Sequence, residues 1–108
     1  MIREIDVYRL ADRLAAQEAV YLLDVRQPWE HETAALPGSV LIPLDQLQAR
    51  AAEVRPPAGA AVVVYCHHGI RSRSAAAFLE RLGFPDVASL AGGIDAWSLC
   101  VDPHVPRY

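Results

Sequence analysis

Five consecutive apolar residues, Ala61-Val-Val-Val-Tyr65, run straight into Cys66, and no other stretch constrains the fold as tightly. A short, β-branched, uninterrupted run suits a strand buried on both faces, which is the place of a central strand in a parallel sheet. Polar His67-His68-Gly69 follows, and the alanine-rich stretch through Phe78 has helical character. Strand, tight loop and helix in that order put a cysteine at the strand's exit. They also aim backbone N–H groups and the positive end of a helix into one cup.

The rest of the chain supplies more elements of the same kind. Ile2 to Ile5 alternates like a short edge strand. Asp6 is a suitable N-cap for a helix over Val7 to Ala16, with Val7, Leu10, Ala11 and Leu14 on one face. Ala19 to Leu23 reads as a buried strand ending in Asp24-Val25-Arg26, and Pro28 opens a short helix. After the Leu36-Pro37-Gly38 turn come a strand over Ser39 to Ile42 and a helix over Asp45 to Val54. Beyond the cup, Ala75, Phe78, Leu79 and Leu82 keep helical spacing and Gly83 closes the helix. Val87 to Leu90 is a strand, Gly92-Gly93 breaks it, and Ile94 to Leu99 carries a final helix with Trp97 in the core. Strands alternating with helices predict an α/β fold with a mostly parallel five-stranded sheet flanked by helices on both faces. Residues 1–100 form the domain, and the proline-rich residues 101–108 are read as its extended C-terminal tail.

Composition narrows the function. The chain has 108 residues, 53% of them hydrophobic, and a net charge of -3, which fits one soluble domain and argues against nucleic acid as a partner. Two cysteines, Cys66 and Cys100, make no disulfide framework, and a free reactive thiol suits a reducing compartment. With no leader-like start and no membrane-length apolar run, the expectation is a cytoplasmic protein without membrane contact. All ten basic residues are arginine, so no lysine is available for Schiff-base chemistry.

Cys66 is the candidate nucleophile. Gly69 lets the backbone curl so that amides converge, and Arg71 can hold an oxyanion in a planar fork. Nucleophile, amide cradle and cation suit attack on an anionic substrate. Cys66 and Arg71 have four residues between them, whereas cysteine phosphatases keep five. The smaller ring is better matched to a single sulfur than to a phosphate, although phosphatase or arsenate-reductase chemistry stays as an alternative. Ser72 either bonds within the loop or caps the helix. Asp24 and Arg26 form a structural ion pair or support the site. His67 and His68, adjacent in a tight loop, are badly placed to converge on one ion, so no metal is expected and either ring would line the mouth. His31 and His104 are expected to be exposed. Trp29 could cover the site from the Pro28 helix. Cys100 is expected to be a buried or half-buried thiol.

Four segments in order resemble the rhodanese-homology family of single-domain sulfurtransferases. They are Leu22-Leu23-Asp24-Val25-Arg26, Leu36-Pro37-Gly38-Ser39, Val64 to Ser72, and Leu90-Ala-Gly-Gly-Ile-Asp-Ala-Trp97. Ala34-Ala35 stands where the family often has Gly-His, and His67 where it often has arginine. The resemblance implies a rhodanese-like fold and a thiosulfate sulfurtransferase activity without a cofactor. A Cys66 persulfide would form from thiosulfate or a related small anionic donor and pass its sulfur to a thiophilic acceptor. His67, His68, Gly69, Ile70, Arg71 and Ser72 would form the persulfide-stabilising loop, with Asp24 and Arg26 in support. The tail resembles the ends of rhodanese domains appended to adenylating enzymes. It implies, as the alternative, a sulfur carrier dependent on protein donors or acceptors in sulfur-containing cofactor or tRNA thiolation pathways.

Overall fold

Strand β4 (Ala61–Tyr65) has every residue buried, as its unbroken apolar run requires. The computed structural model, which describes residues 2–108, places it at the centre of a five-stranded sheet of order β1-β5-β4-β2-β3. The other strands are β1 (Glu4–Ile5), β2 (Val20–Asp24), β3 (Val40–Leu41) and β5 (Val87–Leu90). Every pairing is parallel. The two edges are two-residue strands, shorter than the expected Ile2 to Ile5 and Ser39 to Ile42.

Five helices complete the layers: α1 (Val7–Ala15), α2 (Pro28–Thr33), α3 (Leu44–Arg50), α4 (Ile70–Arg81) and α5 (Gly93–Cys100). The Asp6 carboxylate accepts from the Arg9 N–H at 2.8 Å and caps α1. Helix α4 ends at Arg81, and Gly83 follows in the left-handed region at φ 99°, as a glycine stop requires. The helix expected over Asp45 to Val54 is shorter. It tightens to a 3-10 turn at Ala51–Glu53 before the Pro56-Pro57 loop. The tail is not extended either: it turns through residues 103–105 and buries Val105 against the core.

Strand alternation divides the core in two. Leu22, Val63, Tyr65, Ala88 and Leu90 face α1 and α5, packing with Leu10, Ile94 and Trp97. Leu23, Val62, Val64, Cys66 and Val87 face the other way, packing with Leu47, Ala75, Ala76 and Leu79 of α3 and α4. Cys66 continues the parity of Val62 and Val64, so its sulfur falls on the α4 side. From β2 the chain steps outward to β3, then returns across the sheet to β4. The carboxyl ends of β2 and β4 thus lie side by side at the reversal, where open α/β sheets place their sites.

Candidate active site

Gly69 takes φ 106° as the N-cap of α4, which turns the loop sharply after only three residues. The Gly69 N–H donates to Cys66 Sγ at 3.1 Å and the Ser72 N–H at 3.3 Å. Cys66 Sγ also lies 3.4 Å from Ser72 Oγ, which pairs with Ser89 Oγ of β5 at 2.7 Å. Two of the six amides from His67 to Ser72 thus point at a sulfur that is 1% exposed. Ser72 takes the first of the two roles open to it: its hydroxyl bonds within the pocket, whereas the cap of α4 is Gly69 and Ser72 is already the helix's third residue.

Helix α5 sets the loop's orientation. The Ile94 N–H donates to the Cys66 carbonyl at 2.9 Å and the Asp95 N–H to the His67 carbonyl at 3.1 Å. In a trans peptide the N–H points opposite to the C=O. Drawing these two carbonyls toward α5 therefore turns the His67 and His68 amides the other way. The approach is close enough to exclude any side chain at Gly93, where a Cβ would stand 2.4 Å from the His67 carbonyl oxygen and 2.5 Å from that of Cys66. The Gly92-Gly93 break therefore has a purpose beyond ending β5.

Beside the sulfur lies a network of charges. Arg26 is wholly buried and uses all five of its N–H groups. Nε and Nη2 bond the Asp24 carboxylate at 2.9 and 2.7 Å, and Nη2 also reaches the Ala34 carbonyl at 2.6 Å. Nη1 donates to the Glu30 carbonyl at 3.3 Å and to the Tyr108 hydroxyl at 2.7 Å. Burial works against this charge, but the bonds to Asp24 and Tyr108 outweigh it and keep the guanidinium protonated. Asp24 and Arg26 are therefore a structural pair that reaches the loop through intermediaries. His31 is not exposed as expected, because its Nδ1 lies 2.8 Å from Asp24 Oδ2.

Arg71 points its fork at Glu30, with Nη1 and Nη2 at 2.7 and 2.9 Å from the two carboxylate oxygens. The Glu30 side chain is 5% exposed. Arg71 first, helped by the Gln27 amide and Tyr108, overcomes burial and holds its carboxyl down at about 2. Tyr108 donates to Glu30 Oε2 at 2.7 Å. Burial first, with Glu30 beside it, pushes the phenol up to about 12 against the pull of Arg26, so it stays a donor. The Tyr108 ring stacks on His67 at 4.0 Å, and exposed Trp29 meets its edge at 5.7 Å.

His67 is half-buried, and burial, then His68, lower its pKa, which leaves it neutral near pH 7. His68 and Ile70 are exposed on the rim. His67, His68 and Asp95 do bring ligand atoms within 4.8 Å of one another. However, the two imidazoles stack at 3.9 Å with 24° between planes, so their lone pairs run side by side, and Arg107 already bonds Asp95 at 2.9 Å. This is a poor cation site. His104 is exposed as expected, while Cys100 is exposed rather than half-buried, being the last residue of α5 on its solvent side. Sequence reasoning missed Glu30, Ser89 and Tyr108, each joined to the loop from a distant part of the chain. The Ser-free polar run around Glu30 and the tyrosine ending the tail carried no local sign of it.

The family model for the rhodanese-like domain matches residues 6–100. A sulfurtransferase of Allochromatium vinosum is 39% identical over 91% of this chain and 90% of its own length. The probable adenylyltransferase/sulfurtransferase MoeZ of Mycobacterium tuberculosis is 33% identical over 92% of this chain, which spans only 25% of that protein. A rhodanese-related protein of Thermoplasma volcanium superposes with a TM-score of 0.79 at 29% identity, over 96% of this chain and 95% of that one. The chain belongs to the rhodanese-like family, and its fold and sulfur-transfer chemistry in the broad sense follow from that.

Proposed function

We propose that this rhodanese-like domain takes a sulfane sulfur from thiosulfate, or a related small anionic donor, and passes it on through a Cys66 persulfide. The supporting observation is the sulfur itself, buried at the loop floor with the Gly69 and Ser72 amides donating to it. Such a cradle favours negative charge on sulfur, both as attacking thiolate and as persulfide. The Cys66 thiolate attacks the outer sulfur of thiosulfate. The donor's S–S bond breaks, and sulfite leaves with its electron pair. An acceptor nucleophile then attacks the outer persulfide sulfur and carries it away, and the Cys66 thiolate returns. No cofactor or metal enters either step. The ring of four residues between Cys66 and Arg71 favours this cargo over phosphate or arsenate.

The test is thiocyanate formation from thiosulfate and cyanide by the purified protein. It should follow ping-pong kinetics and fall to background in Cys66→Ser. Retained activity in that variant would remove Cys66 as the nucleophile.

A second reading is a protein persulfide as donor and a protein as acceptor. Similarity to a quarter of MoeZ, a larger protein named for both adenylyl and sulfur transfer, favours it. Incubation with a desulfurase should then add the mass of one sulfur atom to the Cys66 peptide, and an unchanged peptide would count against it.

A further inference from the structure

The tail is fixed at several points before it reaches the site. Ser98 Oγ donates to the Val105 carbonyl, Val105 is buried, and Arg107 bonds Asp95 at 2.9 Å. These anchors deliver Tyr108 to a position between Arg26 and the Glu30 carboxylate that holds Arg71. Arg26 donates to its hydroxyl at 2.7 Å, and the hydroxyl donates to Glu30 Oε2 at 2.7 Å. Glu30 Oε2 takes Arg71 Nη2 at 2.9 Å, while Oε1 takes Arg71 Nη1 at 2.7 Å and the Gln27 amide at 3.0 Å. Apart from Arg71 itself, the Glu30 carboxylate is thus held by one backbone amide and one phenol.

We infer that Tyr108 is a positioning residue for Arg71: its hydroxyl fixes the carboxylate that aims the guanidinium, and its ring walls the His67 side of the mouth. Two effects of the hydroxyl act in the same direction. It holds Glu30 still, and it draws off part of the Glu30 charge that would otherwise offset Arg71. Without it, Arg71 is less well aimed and attracts an anion less. The ring acts separately, by covering His67 at 4.0 Å. The role rests on the reading of Arg71 as the group that draws in an anionic donor.

Two alkylating reagents separate these effects. Iodoacetate is an anion and iodoacetamide is neutral. Both form the same S–C bond to Cys66 and release iodide. Rates are read at the Cys66 peptide by mass spectrometry, so that exposed Cys100 does not interfere. Tyr108→Phe should lower the ratio of iodoacetate to iodoacetamide rates about three- to tenfold, the loss of one charge-assisted bond, and leave the iodoacetamide rate within about twofold. It should raise KM for thiosulfate by a similar factor and leave kcat nearly unchanged. Tyr108→Ala should lower the ratio equally and, in addition, speed the neutral reagent. An unchanged ratio in Tyr108→Phe, or equal changes with both reagents, would overturn the positioning role. A wild-type protein that makes no thiocyanate refutes the thiosulfate reading alone, because the alkylation ratio still reports on Tyr108.

Discussion

Two buried polar groups of residues stand side by side at the carboxyl ends of β2 and β4, and they are built on opposite principles. Around Cys66 the partners are neutral: two backbone amides and a serine hydroxyl. Around Arg26 a carboxylate leads, joined by two backbone carbonyls and a phenol, and every donor is spent. The first leaves capacity for a negative charge that arrives during a reaction. The second leaves none, because Asp24, Glu30 and Tyr108 already use it. Depth of burial is similar, at 1% for Cys66 and 0% for Arg26, so burial does not separate the proposed reactive site from a rigid one. Unspent donor capacity does.

Breaking the ionic group should cost the most. Arg26→Leu leaves Asp24 buried without its cation, and the fold should lose about 3–5 kcal/mol in urea unfolding. A loss under about 1 kcal/mol would show that His31 and water can replace the guanidinium. Next comes the seam between loop and α5. Gly93→Ala forces a Cβ against two backbone carbonyls at φ 62°, and about 2–4 kcal/mol of stability should go with it. Sulfur transfer should fall further than the folded fraction does, since the same carbonyls orient the loop.

The Glu30–Arg71 pair sharpens the comparison through pH. A carboxyl held at about 2 against an ordinary 4.5 stabilises the fold fully above 4.5. That contribution is lost as pH falls from 4.5 through about 2, and it is on the order of 2–3 kcal/mol. Glu30→Gln should flatten this part of the stability–pH curve, and a parallel curve would deny the pair its share. The smallest effect belongs to the neutral group. Ser72→Ala keeps the amide but strands buried Ser89 Oγ and removes one contact to sulfur, so kcat/KM for thiosulfate should drop about tenfold and unfolding should cost about 1 kcal/mol less. A large stability loss instead would make the two groups alike after all.

The comparison also explains what the sequence made legible. Strands β4 and β5 have the bounds their apolar runs indicate, Ala61–Tyr65 and Val87–Leu90, because buried parallel strands write their limits in composition. The neutral pocket is local: Cys66, Gly69 and Ser72 lie within seven residues, so a strand–loop–helix reading brings them together. The ionic group is not local. Glu30 meets Arg71 across 41 positions and Tyr108 across 78. No spacing rule links such residues. The tail looked extended because its prolines forbid a helix, yet Pro103 and Pro106 serve equally well to bend it back. His31 looked exposed because a polar short helix hides which of its faces meets a buried aspartate.

The grip of α5 on the loop carries a consequence for the order in which the molecule is completed. Cys66 leaves the ribosome well before Ile94 and Asp95, whose amides hold the Cys66 and His67 carbonyls. Until those residues are made and docked, the Cys66 and His67 carbonyls lack the partners that orient them. The chemistry proposed for Cys66 would thereby wait on the docking of α5. The same dependence constrains redesign: a longer loop would have to keep the Cys66 and His67 carbonyls within reach of α5.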